Sequence, residues 1–207
     1  MNLSLSRLRL KSCALASIMA AAALVLSACH QEIEWHSKDI SGLMPELAFS
    51  LTDENNQAVT ASNYADQVNL LFFGFTQCPD ICPTTLAQLS AAMRGLSESE
   101  REAVQVLFVS VDPQRDDAAR LREYTDAFGE RFIGLTGTEQ QLRELNKRYR
   151  VTYGYDEPDA YGNYNVSHSS AVFAFDRAGE PRLLIRDDVA ATDIAADIKQ
   201  LLTFDDA

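Results

Sequence analysis

One segment constrains this chain more than any other. Residues Val68-Asn69-Leu70-Leu71-Phe72-Phe73-Gly74-Phe75 form an almost continuous apolar run broken only by Asn69. A run of that length and β-branched or aromatic content reads as a strand buried on both faces, as in a parallel sheet. It runs straight into Thr76-Gln77-Cys78-Pro79-Asp80-Ile81-Cys82-Pro83. Leu86, Leu89, Met93 and Leu96 then recur at helical spacing, with Pro83 placed for a first helical turn. A strand, a cysteine loop and a helix therefore follow one another without a linker.

The pattern continues downstream. Val104–Val111 (VQVLFVSV) is a second buried strand, ended by Asp112-Pro113. Leu121, Tyr124 and Phe128 mark a helix closed by Gly129. Leu142, Leu145 and Tyr149 mark another, opened by a capping box of Thr138 and Gln141. Residues 151–166 are rich in Tyr, Asp, Gly and Asn and read as a long loop. Ser170–Phe175 and Arg182–Ile185, joined by Asp176-Arg177-Ala178-Gly179, read as an antiparallel hairpin, and Ile194, Ile198, Leu201 and Leu202 as a closing amphipathic helix. Leu47–Leu51 alternates like a strand. The order predicts an α/β domain, a mixed central sheet flanked by helices. A redox-capable pair between the first buried strand and its helix is the layout of a thioredoxin-like fold.

The N-terminus is an address. Arg7, Arg9 and Lys11 precede an apolar and small stretch from about Cys13 to Ala28, short for a membrane span of roughly 20 residues. It ends in Leu26-Ser27-Ala28-Cys29, which resembles a bacterial lipobox, with cleavage before Cys29 and lipid on its thiol. Residues 1–28 are then a lipoprotein signal peptide, 29–45 a polar membrane tether and 46–207 the domain. An acylated chain sits on a membrane facing an oxidising compartment, here the periplasm or cell exterior. His30 after Cys29 permits sorting to an outer membrane, whereas a partner in the inner membrane would retain it there.

The chain carries 18 Lys and Arg against 30 Asp and Glu, a net charge of −12, and losing the signal makes it more acidic still. Nucleic acid is excluded as a partner because phosphate binding needs a basic footprint. Of four cysteines, Cys13 leaves with the signal and Cys29 takes the lipid. Only Cys78 and Cys82 remain, which is no disulfide scaffold.

On a helix start, cysteines four apart face the same way, with Cα atoms roughly 6 Å apart, within reach of a disulfide. A helix N-terminus favours thiolate, so one or both thiols should have a lowered pKa. Such thiolates exchange disulfides or bind a soft metal. The third residue between them widens the bite relative to Cys-x-x-Cys and suits two sulfurs on one ion. A third ligand must come from elsewhere. Of the three histidines, His30 and His36 lie in the tether and read as solvated. His168 lies between the Tyr/Gly loop and the strand SAVFAF, a junction that faces the cysteine loop in a thioredoxin-like fold. Two thiolates and an imidazole favour copper, as Cu(I) or Cu(II), over zinc, which wants a fourth ligand. Cys-x-x-Cys-His is absent, so haem attachment is unsupported. A plain structural disulfide would close too short a loop to contribute much stability.

At these residues the chain resembles the SCO/SenC family of copper chaperones. Phe73-Gly74-Phe75-Thr76-Gln77-Cys78-Pro79-Asp80-Ile81-Cys82-Pro83 is similar to the family's copper loop. Val109-Ser110-Val111-Asp112-Pro113-Gln114-Arg115-Asp116 is similar to its Asp-Pro-x-Arg-Asp segment, Gly134–Thr138 to a further stretch and His168-Ser169-Ser170 to its histidine segment. The resemblance implies copper ligation by Cys78, Cys82 and His168, and cycling of the two cysteines between dithiol and disulfide. It implies assistance in assembling the dinuclear copper centre of cytochrome c oxidase, with the copper-receiving oxidase subunit as partner and other periplasmic copper chaperones or thiol reductants alongside. Asp112 fits either an outer role beside the metal or a strand-ending carboxylate before proline. Gln77 stands where many members have His, and Ser167 where Asp is common, so two accessory groups are missing. Three other functions use these residues differently. A thiol–disulfide oxidoreductase would reduce the cysteines of the oxidase copper site. A thiol peroxidase would need a Thr three residues before its cysteine and a nearby Arg, which are not evident. A lipoprotein interaction module would leave the cysteine pair unexplained.

Overall fold

The structure is a computed structural model that describes residues 34–157, 164, 166–168 and 170–204, with the backbone alone at residues 167 and 168. The signal peptide, Cys29 and His30 lie outside the described residues. No helix among the described residues is long and apolar enough to cross a membrane.

Among the described residues, ten strands and five α-helices follow in chain order. The strands are β1 (Lys38–Asp39), β2 (Ser50–Asp53), β3 (Ala58–Thr60), β4 (Val68–Gly74), β5 (Val104–Ser110), β6 (Phe132–Thr136), β7 (Tyr153–Tyr155), β8 (Val166–His168), β9 (Val172–Phe175) and β10 (Pro181–Ile185). The helices are α1 (Ile81–Arg94), α2 (Glu98–Glu102), α3 (Ala118–Asp126), α4 (Glu139–Arg148) and α5 (Ala191–Phe204). Eight strands make one mixed sheet in the order β1-β10-β9-β4-β5-β6-β2-β3, and β7 and β8 form a separate hairpin. β4 pairs in parallel with β5, and β5 with β6, while β4 is antiparallel to β9.

Strand alternation sorts the core into two layers. Val68, Leu70 and Phe72 face α1 and α5, packing with Leu86, Leu89, Ile194, Ile198 and Leu201. Leu71, Phe73 and Phe75 face the other way and pack with Leu142, Leu145 and Tyr149 of and after α4. β4 is covered on both sides, and the chain there is apolar at nearly every position for that reason. The polar break, Asn69, is buried, and its Nδ2 donates to Tyr64 O and Gln67 O, both at 2.9 Å. The expected capping box opens α4, with Thr138 as its N-cap and Gln141 reaching back.

Away from the cysteines, four expectations differ from the structure. The strand read at Leu47–Leu51 begins at Ser50, because Leu47 N is taken by Gly179 O of the β9–β10 turn. The stretch read as one loop over 151–166 is bracketed by β7 and β8. Residues 35–45, read as part of a polar tether, pack on the domain: β1 adds an edge to β10, Ile40 is buried and Ser37 N donates to Asp197 Oδ2 at 2.8 Å. His36 is half-exposed rather than simply solvated, because its Nδ1 lies 3.1 Å from the buried carboxylate of Asp197.

Candidate metal centre

The C-terminal ends of parallel strands are where α/β sheets place their sites, and both cysteines lie just beyond the end of β4. The chain leaves Gly74, turns through Phe75 and Thr76, and is pinned there by a buried carboxylate. Asp116 accepts from Thr76 N at 2.9 Å, from Thr76 Oγ1 at 2.6 Å and from Ser110 Oγ at 2.6 Å. Three donors on one desolvated carboxylate fix the loop's exit from the strand. Cys78 N then closes a turn onto Phe75 O at 3.2 Å.

Cys78 thus sits in the loop before α1, not on the helix as the spacing suggested. Cys82 is the helix's second residue, and its backbone N–H donates to Cys78 Sγ at 3.4 Å. One of the free amides of a helix N-terminus is aimed at that sulfur. Cys78 is half-buried and touches both core layers, while Cys82 is fully buried, and the two are not joined in a disulfide. A Cβ on Gly74 would lie 2.5 Å from Cys82 Sγ and 2.7 Å from the Phe108 ring, so the absent side chain is the cradle that admits the sulfur.

The expectation of a lowered thiol pKa fails at Cys82. Burial pushes its thiol well above the ordinary range, a backbone hydrogen bond from Phe75 offsets part of this, and the neighbouring Cys78 adds to the rise. Desolvation outweighs the helix terminus because the sulfur lies inside the core rather than at its surface. Cys82 is therefore a neutral thiol until something takes its proton.

Asp112 follows β5 and is fully buried. Its carboxylate is ion-paired with Arg115 and accepts from Tyr164 Oη at 2.8 Å. His168 ends β8, opposite Tyr153 in the β7–β8 register, and its side chain lies outside the described residues. The hairpin that bears it is tied to the end of β5 by Tyr155 Oη, which donates to Val111 O, and by Tyr164 onto Asp112. Among the described side chains no set of three His, Cys, Asp or Glu is placed to hold a metal. The donor chemistry nevertheless fits a soft ion: two adjacent thiols, one poised at a helix terminus, and a histidine that ends a strand whose hairpin is tied to the end of β5.

The residues that shape this loop were only partly legible. Asp116 ends the Asp-Pro-x-Arg-Asp segment, and nothing in sequence marks which of its carboxylates turns inward. Tyr155 and Tyr164 were read as loop composition, although their clustering was the available signal.

The sequence profile of the SCO1/SenC family matches residues 43–203. The chain belongs to the SCO1/SenC family. It is 34% identical over 160 residues to the mitochondrial SCO2 homolog of Mus musculus, covering 74% of this chain and 63% of that protein. It thus spans just under two thirds of the length of that protein and of the SCO2-like proteins of Rickettsia typhi and Rickettsia conorii. Bradyrhizobium japonicum ScoI, solved with copper bound, is 32% identical with a TM-score of 0.70, covering 76% of this chain and 99% of that one. Apo Sco1 of Thermus thermophilus is 36% identical with a TM-score of 0.72, covering 84% and 99%. The SCO1/SenC chain described here shares their thioredoxin-like fold, as the strand–cysteine–helix order predicts.

Proposed function

We propose that this SCO1/SenC chain is a membrane-anchored copper carrier that takes the ion through Cys78, Cys82 and His168 and hands it to the copper-receiving subunit of cytochrome c oxidase. The observation that carries this reading is the pair of adjacent thiols beyond β4, whose loop Arg115 joins to Tyr164, four residues before His168. Copper bound to Bradyrhizobium japonicum ScoI supports it, and the family resemblance supplies the oxidase. Copper is the cargo. Thiolates suit Cu(I), and an imidazole lets the same site accept Cu(II). Binding must release the proton that burial holds on Cys82. Cys78, the more accessible sulfur, is where an incoming ligand of the receiving protein begins the exchange. Lipid on Cys29 holds the chain at a membrane facing the periplasm, or the exterior of a cell without one.

The second reading is reduction of the oxidase cysteines by the same pair. The adjacency of Cys82 N and Cys78 Sγ favours it, since an attack by Cys78 leaves Cys82 next to the mixed disulfide. Copper titration of the reduced full chain in detergent separates the two. The carrier reading expects a thiolate-to-copper absorption band that needs both cysteines. It also expects His168→Ala to weaken copper binding by more than about tenfold, or about 1.4 kcal/mol, while thiol–disulfide exchange continues. Unaltered copper affinity in His168→Ala would sink the three-ligand site and leave the redox reading.

A further inference from the structure

Arg115 lies between the two halves of the ligand set. Its Nη1 donates to Gln77 Oε1 at 3.3 Å, beside Cys78, and to Tyr164 O at 3.1 Å, four residues ahead of His168. Its Nε pairs with the buried carboxylate of Asp112. Its guanidinium carbon lies 3.7 Å from the centre of the Tyr164 ring and 5.6 Å from that of Phe75. Tyr164 Oη closes the ring of contacts by donating to Asp112 Oδ1 at 2.8 Å. One side chain thus touches the cysteine loop, the end of β5 and the segment entering β8.

Among the described residues the β7–β8 hairpin forms its own two-stranded sheet, unpaired with the eight-stranded one. Described side-chain ties to it run from Tyr155 to Val111 and from Tyr164 to Asp112 and Arg115. Asp112 cannot release the guanidinium cheaply, because a buried carboxylate without a partner is costly. The planar cation also stacks on Tyr164 in a way an ammonium cannot. A hairpin free to wander would weaken metal binding in proportion to the time it spends away, since apparent affinity scales with the competent fraction.

We propose that Arg115 is a positioning residue for copper binding: it latches the hairpin that bears His168 against the loop that bears Cys78, with Asp112 as anchor and Tyr164 as catch. This rests on the ligand set proposed above. Gln77, which supplies no ligand, becomes the latch's contact on the cysteine side.

The test is Cu(I) affinity of the full chain in detergent, measured by competition with a chromophoric chelator, for Arg115→Lys, His168→Ala and the double variant. Arg115→Lys keeps the charge facing Asp112 and loses the planar stack. It should weaken copper binding by about 10–100-fold, the usual cost of losing a group that orients a metal ligand. The thiolate-to-copper band should remain and the nitrogen hyperfine coupling of the Cu(II) form should weaken. In the His168→Ala background the same substitution should change affinity by less than about twofold, because a latch without its histidine has nothing to position. A full additive loss in the double variant overturns the latch, as does unchanged affinity in Arg115→Lys. Unchanged affinity in His168→Ala instead overturns the ligand set itself, a different failure. If Arg115→Lys does not fold, Tyr164→Phe, which removes only the hydroxyl on Asp112, takes its place in the same cycle with the same outcomes deciding.

Discussion

Gly74 shows how little room the site has. It ends β4 in register with Ser110 of β5, under both the Cys82 sulfur and the Phe108 ring. Neither neighbour can retreat, since Cys82 and Phe108 are both fully buried. Gly74→Ala should therefore cost about 1–3 kcal/mol, the range for overpacking a dense core, read as a lower urea midpoint. It should also weaken copper binding, because the displaced atom is a sulfur of the proposed ligand set. An unchanged midpoint would mean that the sulfur is not wedged there. In sequence this glycine is one letter in an apolar run, and only the close approach of another segment gives it meaning. The cysteine pair was legible by contrast, because thiols in a chain with so few cysteines declare their chemistry by type alone.

Elements were legible where they are long and covered on both faces. β4 and β5 each bury nearly every residue, so the apolar runs and the strands coincide. β1, β7 and β8 escaped because two or three residues hold too little periodicity to read. Their pairing is set by contacts from distant segments. The N-terminal edge illustrates this. Asp197, buried within α5, accepts from His36 N at 2.9 Å and Ser37 N at 2.8 Å, and His36 Nδ1 lies 3.1 Å away. Nothing near residue 36 in the chain announces a partner 161 residues later. Asp197→Ala should strand two backbone donors and cost about 1–3 kcal/mol. The sharper signature is local: residues 35–45 should become open to limited proteolysis while the central sheet remains intact. Cleavage confined to other segments would show that the carboxylate does not hold this edge.

At the scale of the whole molecule the fold prefers several of its weak acids neutral. Burial raises the phenols of Tyr64 and Tyr155 to about 12, with nearby Asp53 and Glu54 adding to the first and Tyr153 and Asp112 to the second. Tyr124 is raised chiefly by burial and then by the two cysteines, and Cys82 is raised as well. The sign is the same for all four. Each folded value lies above the unfolded one, about 8.5 for a thiol and about 10 for a phenol. Each contribution is full below the unfolded value and is lost as pH climbs toward the folded one. The urea midpoint of the copper-free chain should hold through neutral pH and begin to fall near pH 9, more steeply near pH 10. On the proposed ligand set copper displaces the Cys82 proton, so the loaded chain should lose the first part of that fall and keep the second. An acidic chain also repels itself more at high pH, which would lower the midpoint for an unrelated reason. Salt separates the two causes, since about 1 M salt screens charges beyond roughly 3 Å but leaves burial untouched. The alkaline fall should survive added salt, and its disappearance would assign the loss to surface charge instead of to these four desolvated groups.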